Sequence, residues 1–339
     1  MKKIMKITLL SLLFFAFNSR IGQASELNFS VLPVIPENQQ DKDKTYFDIK
    51  LAPLEHQELK VRLKNDTSKE VTVETDLNRA TTNLNGVVEY GKTTDTKDAS
   101  VIYNIEDYVK ITDKEISIPA NGEKELILNV DAPSEMFEGI LVGGLTFKEK
   151  VVDSTNEQPN GQGLAIENEY AYIVGLVMHG TGTPVEPLVN LLKVEPAQVN
   201  ARNVINATLQ NPKPAYLNQM KVEATITKKG SKKVLYASQS EDMQMAPNSN
   251  FNYPIALNGQ PLKAGKYTMS MRVDSAENHW EFTKDFEIKK EVADKYNAQD
   301  VSIEKSYTWI YMIVGFLFIL LIGIILLLLY KQKKNKKEQ

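Results

Sequence analysis

The run Leu59-Lys60-Val61-Arg62-Leu63-Lys64 alternates apolar and charged residues without a break. Successive side chains of a strand point to opposite faces, so a period of two buries one face and wets the other. Tyr46 to Leu51 and Val71 to Leu77 repeat the pattern, and Phe29 to Pro36 is extended, with Pro33 and Pro36 suited to a sheet edge. Asn65-Asp66-Thr67-Ser68 and Asn85-Gly86 are turn signals. Glu115–Ile118 and Glu125–Val130 flank Pro119-Ala120-Asn121-Gly122 and predict a hairpin, and Gly139 to Phe147 closes this half. A short helical turn is expected around Pro133 to Phe137, and Gly91 to Ser100 is polar and expected to be a mobile loop. Seven further strands are expected, at 188–194, 204–210, 219–228, 233–238, 250–257, 265–273 and 280–288. Many short strands with frequent turns and weak helical periodicity predict an all-β chain of two immunoglobulin-like β-sandwich domains. The polar stretch Glu149 to Gly163 divides them, giving domains at 27–150 and 164–290. Glu169 to Met178 fits either the first strand of the second domain or an edge strand shared by both.

The termini carry a different pattern. From Trp309 to Tyr330 there is no charged residue over 22 positions, with aromatic residues at both ends and five lysines following. At about 1.5 Å per residue such a helix is roughly 33 Å long, enough for a hydrocarbon core of about 30 Å. A single C-terminal transmembrane helix is therefore expected at 307–330, with a basic cytoplasmic tail at 331–339. Lys2, Lys3 and Lys6 precede the apolar run Ile7 to Phe17 of 11 residues, and Gly22 and Ala24 suit a cleavage site. That predicts a signal peptide at 1–24, an ectodomain outside the cell, and a juxtamembrane stalk at 291–306.

The chain has no cysteine, which excludes disulfides, thiolate zinc sites and thiol catalysis. Setting aside the leader (Lys2, Lys3, Lys6, Arg20) and the tail (five Lys, Glu338) leaves 31 basic and 42 acidic residues, a net charge near −11. An ectodomain that acidic does not suit nucleic acid or another polyanion as its principal ligand. His56, His179 and His279 lie far apart and show no metal or triad spacing, and no nucleophile or metalloprotease motif is present. No enzyme activity, metal or cofactor is expected. Gly143-Gly144 inside an apolar strand suggests a bulge or, less so, a close ligand approach. Tyr46 alternates away from Phe47 and Ile49 and is the better exposed aromatic.

Longer runs carry a resemblance. FSVLPVIPENQQDKDKTYFDIKLAP (29–53), RATTNLNGVVEYG (79–91) and FEGILVGGLTF (137–147) resemble the N-terminal peptidoglycan-binding domain of the WxL-interacting proteins of Gram-positive bacteria. NEYAYIVGLVM (168–178), QNPKPAYL (210–217), KKGSKKVLY (228–236), MAPNSNF (245–251) and LKAGKYT (262–268) resemble its C-terminal host-binding domain. Pro53-Leu54-Glu55-His56 departs from the Pro-Gly turn usual in the family. The resemblance implies a surface protein that binds peptidoglycan through the first domain. It also implies association with WxL-domain surface proteins and, through the second domain, with host matrix proteins. It brings no catalytic residues. The positions it marks are Tyr46, Asn83, Asn85, Tyr90, Gly143 and Gly144 for peptidoglycan or partner, and Asn248, Asn250, Phe251 and Tyr267 in the second domain. The competing readings are a cell-wall-modifying enzyme and a surface sensor component.

Overall fold

A computed structural model describes residues 27–93, 96–150, 170–304 and 308–335, with side chains of the last helix described over 312–326. The expected signal peptide, most of the 149–163 linker and the end of the tail lie outside the described residues. The first half comprises β1 (Ser30–Val34), β2 (Phe47–Lys50), β3 (His56–Asn65), β4 (Val71–Arg79), β5 (Thr81–Thr82), β6 (Val88–Glu89), α1 (Ile105–Tyr108), β7 (Val109–Ile111), β8 (Glu115–Ile118), β9 (Gly122–Asp131), β10 (Ile140–Glu149) and β11 (Ala171–His179). Two sheets, β1-β3-β9-β7 and β2-β11-β10-β4-β8, enclose one core. The alternation works as expected: Leu59 and Val61 of β3 are buried opposite Leu128 and Leu126 of β9. Each such side chain contributes about 1.5–3 kcal/mol by leaving water. Lys60, Arg62 and Lys64 face outward.

All seven strands expected in the second half form: β12 (Asn190–Val199), β13 (Arg202–Asn211), β14 (Leu217–Lys228), β15 (Val234–Met245), β16 (Ser249–Ala256), β17 (Gly265–Ser275) and β18 (Asn278–Ile288). They make sheets β12-β13-β16 and β15-β14-β17-β18 around a second core. The two sandwiches share a plan. Strand pairs β3/β9, β4/β8, β4/β10 and β10/β11 in the first correspond to β13/β16, β14/β15, β14/β17 and β17/β18 in the second.

Four expectations change. No hairpin joins β8 to β9: β8 pairs with β4 and β9 with β3, so Pro119–Gly122 crosses between sheets. The helical turn is at Ile105–Tyr108 and not at 133–137. Strand β11 belongs to the first sandwich. It lies antiparallel to β10 and parallel to β2, filling the place that β18 fills in the second, although the division at 164 assigned it to the second domain. The expected stalk is not free. Helix α2 (Lys290–Gln299) is docked on the second sandwich, with Ala293 and Asp300 buried. Asp300 Oδ2 accepts from Asn203 N at 2.7 Å, and Asn297 Oδ1 accepts from Leu262 N at 2.8 Å. Helix α3 (Thr308–Asn335) follows with 28 residues. Among the described residues no helix is long and apolar enough to cross a membrane, and the expected span at 307–330 exceeds the 312–326 side chains described.

The shared plan is held by the same device twice. Asn65 ends β3, is fully buried, and accepts from Thr67 N at 2.8 Å. Its amide donates to Lys69 O, Ile118 O and Pro119 O. Asn211 ends β13, is fully buried, accepts from Lys213 N at 3.1 Å, and donates to Ala215 O and Ala246 O. Each asparagine therefore ties together two crossings between sheets. The partner crossing answers in both: Asn121 N donates to Thr67 O and Asn248 N to Lys213 O. Asn121 and Asn248 have φ of 52° and 47°, in the left-handed region that asparagine tolerates best among residues with a side chain.

Leu54 occupies the departure from the family turn, with φ 62° and its side chain in solvent. A left-handed leucine costs roughly 1–2 kcal/mol that glycine avoids. Leu54→Gly is expected to raise the melting temperature by a few degrees, read by calorimetry. Asn65→Ala and Asn211→Ala each strand several buried carbonyls and amides and should lose roughly 2–4 kcal/mol in denaturant unfolding. A fragment ending at Lys150 lacks β11 and exposes the edges of β2 and β10. It should fail to unfold cooperatively, whereas one ending at Thr183 should, as followed by circular dichroism.

Candidate binding groove at the domain junction

The motif at 79–91 folds as a hairpin that leaves the first sandwich and lands on the second. Asn83 shapes its turn: Oδ1 accepts from Asn85 N at 2.9 Å and Val87 N at 3.1 Å, and its amide donates to Glu89. Gly86 at the tip has φ +68°, and a Cβ there would stand 2.3 Å from Met243 Cε. Its carbonyl accepts from Gln244 N at 2.6 Å. Thr82 Oγ1 accepts from Ala246 N at 3.0 Å and shares a hydrogen bond with Ser249. The same asparagine turn that latches the second sandwich thus also carries the junction.

Beside the hairpin, three tyrosines meet. Gly144 and Gly175 are cross-strand neighbours on β10 and β11. A Cβ on Gly144 would lie 2.6 Å from Tyr90 Cβ, so the bare strand lets that ring lie flat, and Tyr46 lies over Gly175. Gly143 likewise admits Ile105 of α1, and the register of β10 continues through both glycines without a bulge. The hydroxyls of Tyr90 and Tyr216 share a 3.1 Å hydrogen bond. Burial, then the bond to Tyr90, pushes the Tyr216 phenol far above its ordinary range. These rings pack with Ala80, Val142, Val177 and Ala246 into a small apolar core between the domains.

The loop after the hairpin closes the junction on its other side. Asp98 accepts from Gln210 Nε2 at 2.8 Å and Asn250 Nδ2 at 2.6 Å, and Asn248 Nδ2 donates to Ser100 O. Burial raises the Asp98 carboxyl, but bonds from Asn250, Ser100 and Gln210 outweigh it and hold the group below the usual range. The described parts of the expected mobile loop are therefore tied down.

Two connected grooves remain open. One, of about 460 Å³, runs between the hairpin and β16 and is lined by Thr81, Thr82, Asn83, Leu84, Glu89, Thr93, Thr96, Asn250, Phe251 and Asn252. The other, of about 440 Å³, lies on the outer face of the first sandwich. They share Gly91 and Lys92. Hydroxyls, amides and a few charges dominate the first groove, the chemistry that hydrogen-bonds hydroxylated and acetamido ligands.

Of the marked residues, Asn83, Asn250 and Phe251 line the groove, while Phe251 is also buried. Tyr46, Tyr90, Gly144 and Asn248 lie in or against the junction, whereas Asn85 is exposed in the hairpin turn and Gly143 packs on Ile105 within the first sandwich. Tyr267 stands apart, buried in the second core, stacked on Phe286 and donating to Lys263 O. Sequence reasoning missed Thr81, Lys92, Asp98, Tyr216 and Asn252. The hairpin was legible from its own residues, but its landing site lies more than 150 positions away. Two of the three histidines find carboxylates that spacing did not reveal: His179 Nε2 lies 2.5 Å from Asp48 Oδ1, and His56 Nδ1 lies 2.9 Å from Asp131 Oδ1. Among the described residues no cluster of three such groups is arranged to hold a metal.

Comparison with known proteins follows the same division. Residues 29–149 match the WxL Interacting Protein, peptidoglycan binding domain, and residues 161–298 match the WxL Interacting Protein, host binding domain. No curated protein matches the chain. Among solved structures, the Escherichia coli chaperone DraB is 16% identical, with 77% of this chain and 97% of that one covered and a TM-score of 0.28. The chaperone–tip adhesion subunit pre-assembly complex CsuC–CsuE of Acinetobacter baumannii is 12% identical over 75% and 97%, with a TM-score of 0.30. TM-scores of this size do not establish a common arrangement of the chain. The two matched domains, in order and together spanning both sandwiches, show that this chain belongs to the WxL-interacting protein family.

Proposed function

We propose that the chain is a membrane-anchored cell-surface scaffold that holds peptidoglycan in the junction groove. In this reading the second sandwich engages WxL-domain surface proteins and host matrix proteins. The observation that carries it is the open polar groove between the hairpin and β16, inside a chain with a peptidoglycan-binding and a host-binding domain. Threonine hydroxyls, asparagine amides and Glu89 match the hydroxyl and acetamido groups of a glycan, and rigid strands on both sides hold them in place. The reading includes α3 as the anchor. Its side chains from Met312 to Leu326 are all apolar apart from glycine and are exposed on the protein, as a lipid-facing surface requires. A helix of that length measures about 42 Å. Three residues, 305–307, link the described ectodomain to α3, and three residues span at most roughly 10 Å. In this reading the second sandwich stands close to the bilayer.

The test uses the full-length chain pelleted with insoluble peptidoglycan. Lys92→Ala with Asn252→Ala, both exposed, is expected to lower the retained fraction about tenfold at an unchanged melting temperature. Equal retention of variant and parent removes the groove as the site.

A further inference from the structure

The second groove has a chemistry of its own. Leu145 and Phe147 of β10 point into the core, so Thr146 and Lys148 face outward. Register places Lys148 beside Glu74 and Glu74 beside Glu115, while Thr146 stands between Asp76 and Ile173. Lys92 and Lys114 complete the lining, and Ile173 next to it is 53% exposed. Toward Val142 this face is covered by the tyrosines and the second sandwich, whereas Lys148 and Glu74 at its other end are exposed. Lys150 lies outside the groove and binds Glu115 at 2.7 Å and Glu74 at 4.0 Å, neutralising part of the acidic side. Among the described residues no ion pair engages Lys92 or Lys114, which leaves two ammonium groups of the lining unpaired.

Neighbouring strands lie about 4.8 Å apart and same-face residues of one strand about 6.8 Å apart. The groove is therefore lined by both signs, ammonium groups of Lys92, Lys114 and Lys148 and carboxylates of Glu74, Asp76 and Glu115, with neighbouring strand positions about 5–7 Å apart. A glycan chain carries no charges at that spacing. A short extended peptide with carboxylates and a free amine does, because every second residue projects to the same side. Small methyl side chains would meet Ile173 and Thr146. The groove opens through Gly91 and Lys92 into the one assigned above to the glycan.

We propose that this outer-face groove binds the peptide portion of peptidoglycan, a short zwitterionic peptide, while the junction groove holds the sugar chain it hangs from. The inference rests on the junction-groove reading for its connection, but not for its own chemistry. A ligand carrying both parts would span the first sandwich and reach Asn250 and Asn252 of the second, so peptidoglycan would bridge both domains.

Titration calorimetry on the full-length chain separates the two. The ligands are a disaccharide carrying its peptide, peptide-free glycan from amidase digestion, and a synthetic stem peptide with one side-chain amine. The peptide-bearing disaccharide should bind at least tenfold more tightly than bare glycan, and 0.5 M salt should erase most of that advantage, since exposed charges are screened. Lys114→Gln alone should weaken the advantage, and Asp76→Asn with Lys114→Gln should abolish it, with bare-glycan affinity unchanged. Equal affinity of the two glycans, or a variant that weakens both alike, overturns the peptide groove. Peptide binding without any glycan binding upholds it and instead removes the junction reading. Binding of neither ligand removes both.

Discussion

The fully buried asparagine at the end of β3, and its counterpart at the end of β13, is the interaction on which this structure depends. A sandwich must cross between its sheets, and each crossing leaves backbone groups that no ladder satisfies. Asn65 and Asn211 each satisfy a set of them with a single side chain, accepting from the turn and donating to two crossings at once. A buried amide with both ends engaged is strong because the alternative is several unpaired groups in a dry interior. With no cysteine in the chain, these polar knots take the place at the crossings that no disulfide can fill.

The second knot has an added role. The crossing that Asn211 ties, Ala246 to Ser249, is also where the hairpin of the first sandwich lands. Asn248 is held in a left-handed conformation by the turn and then spends its side chain on Ser100. Local turn chemistry, domain stability and domain orientation thus pass through one short stretch. The three tyrosines and the Asp98 loop flank it, and the junction groove opens beside it.

The repeated plan explains why β11 sits in the first sandwich. The last strand of each unit pairs with the strand before it, and the first unit stays open until residues 171–179 return to it. The matched host-binding domain begins at residue 161, so the strand that completes the peptidoglycan-binding sandwich is borrowed from the segment after it.

Period-two alternation, turn residues and composition determined the all-β class, the two-domain organisation and nearly every strand of the second half, because these depend on neighbours within a few positions. The motif runs determined the family. Tertiary structure alone decided that Glu115–Ile118 and Glu125–Val130 part company, that 290–300 docks as a helix, and that Asn83 and Asn250 share a groove. It also showed that Gly144 serves a tyrosine ring and that Tyr267 is core. Each of those outcomes turns on which of several compatible surfaces meet across tens to hundreds of residues. A local pattern records that a face is apolar or that a turn is needed, but not what covers the face or which distant carbonyl completes the turn.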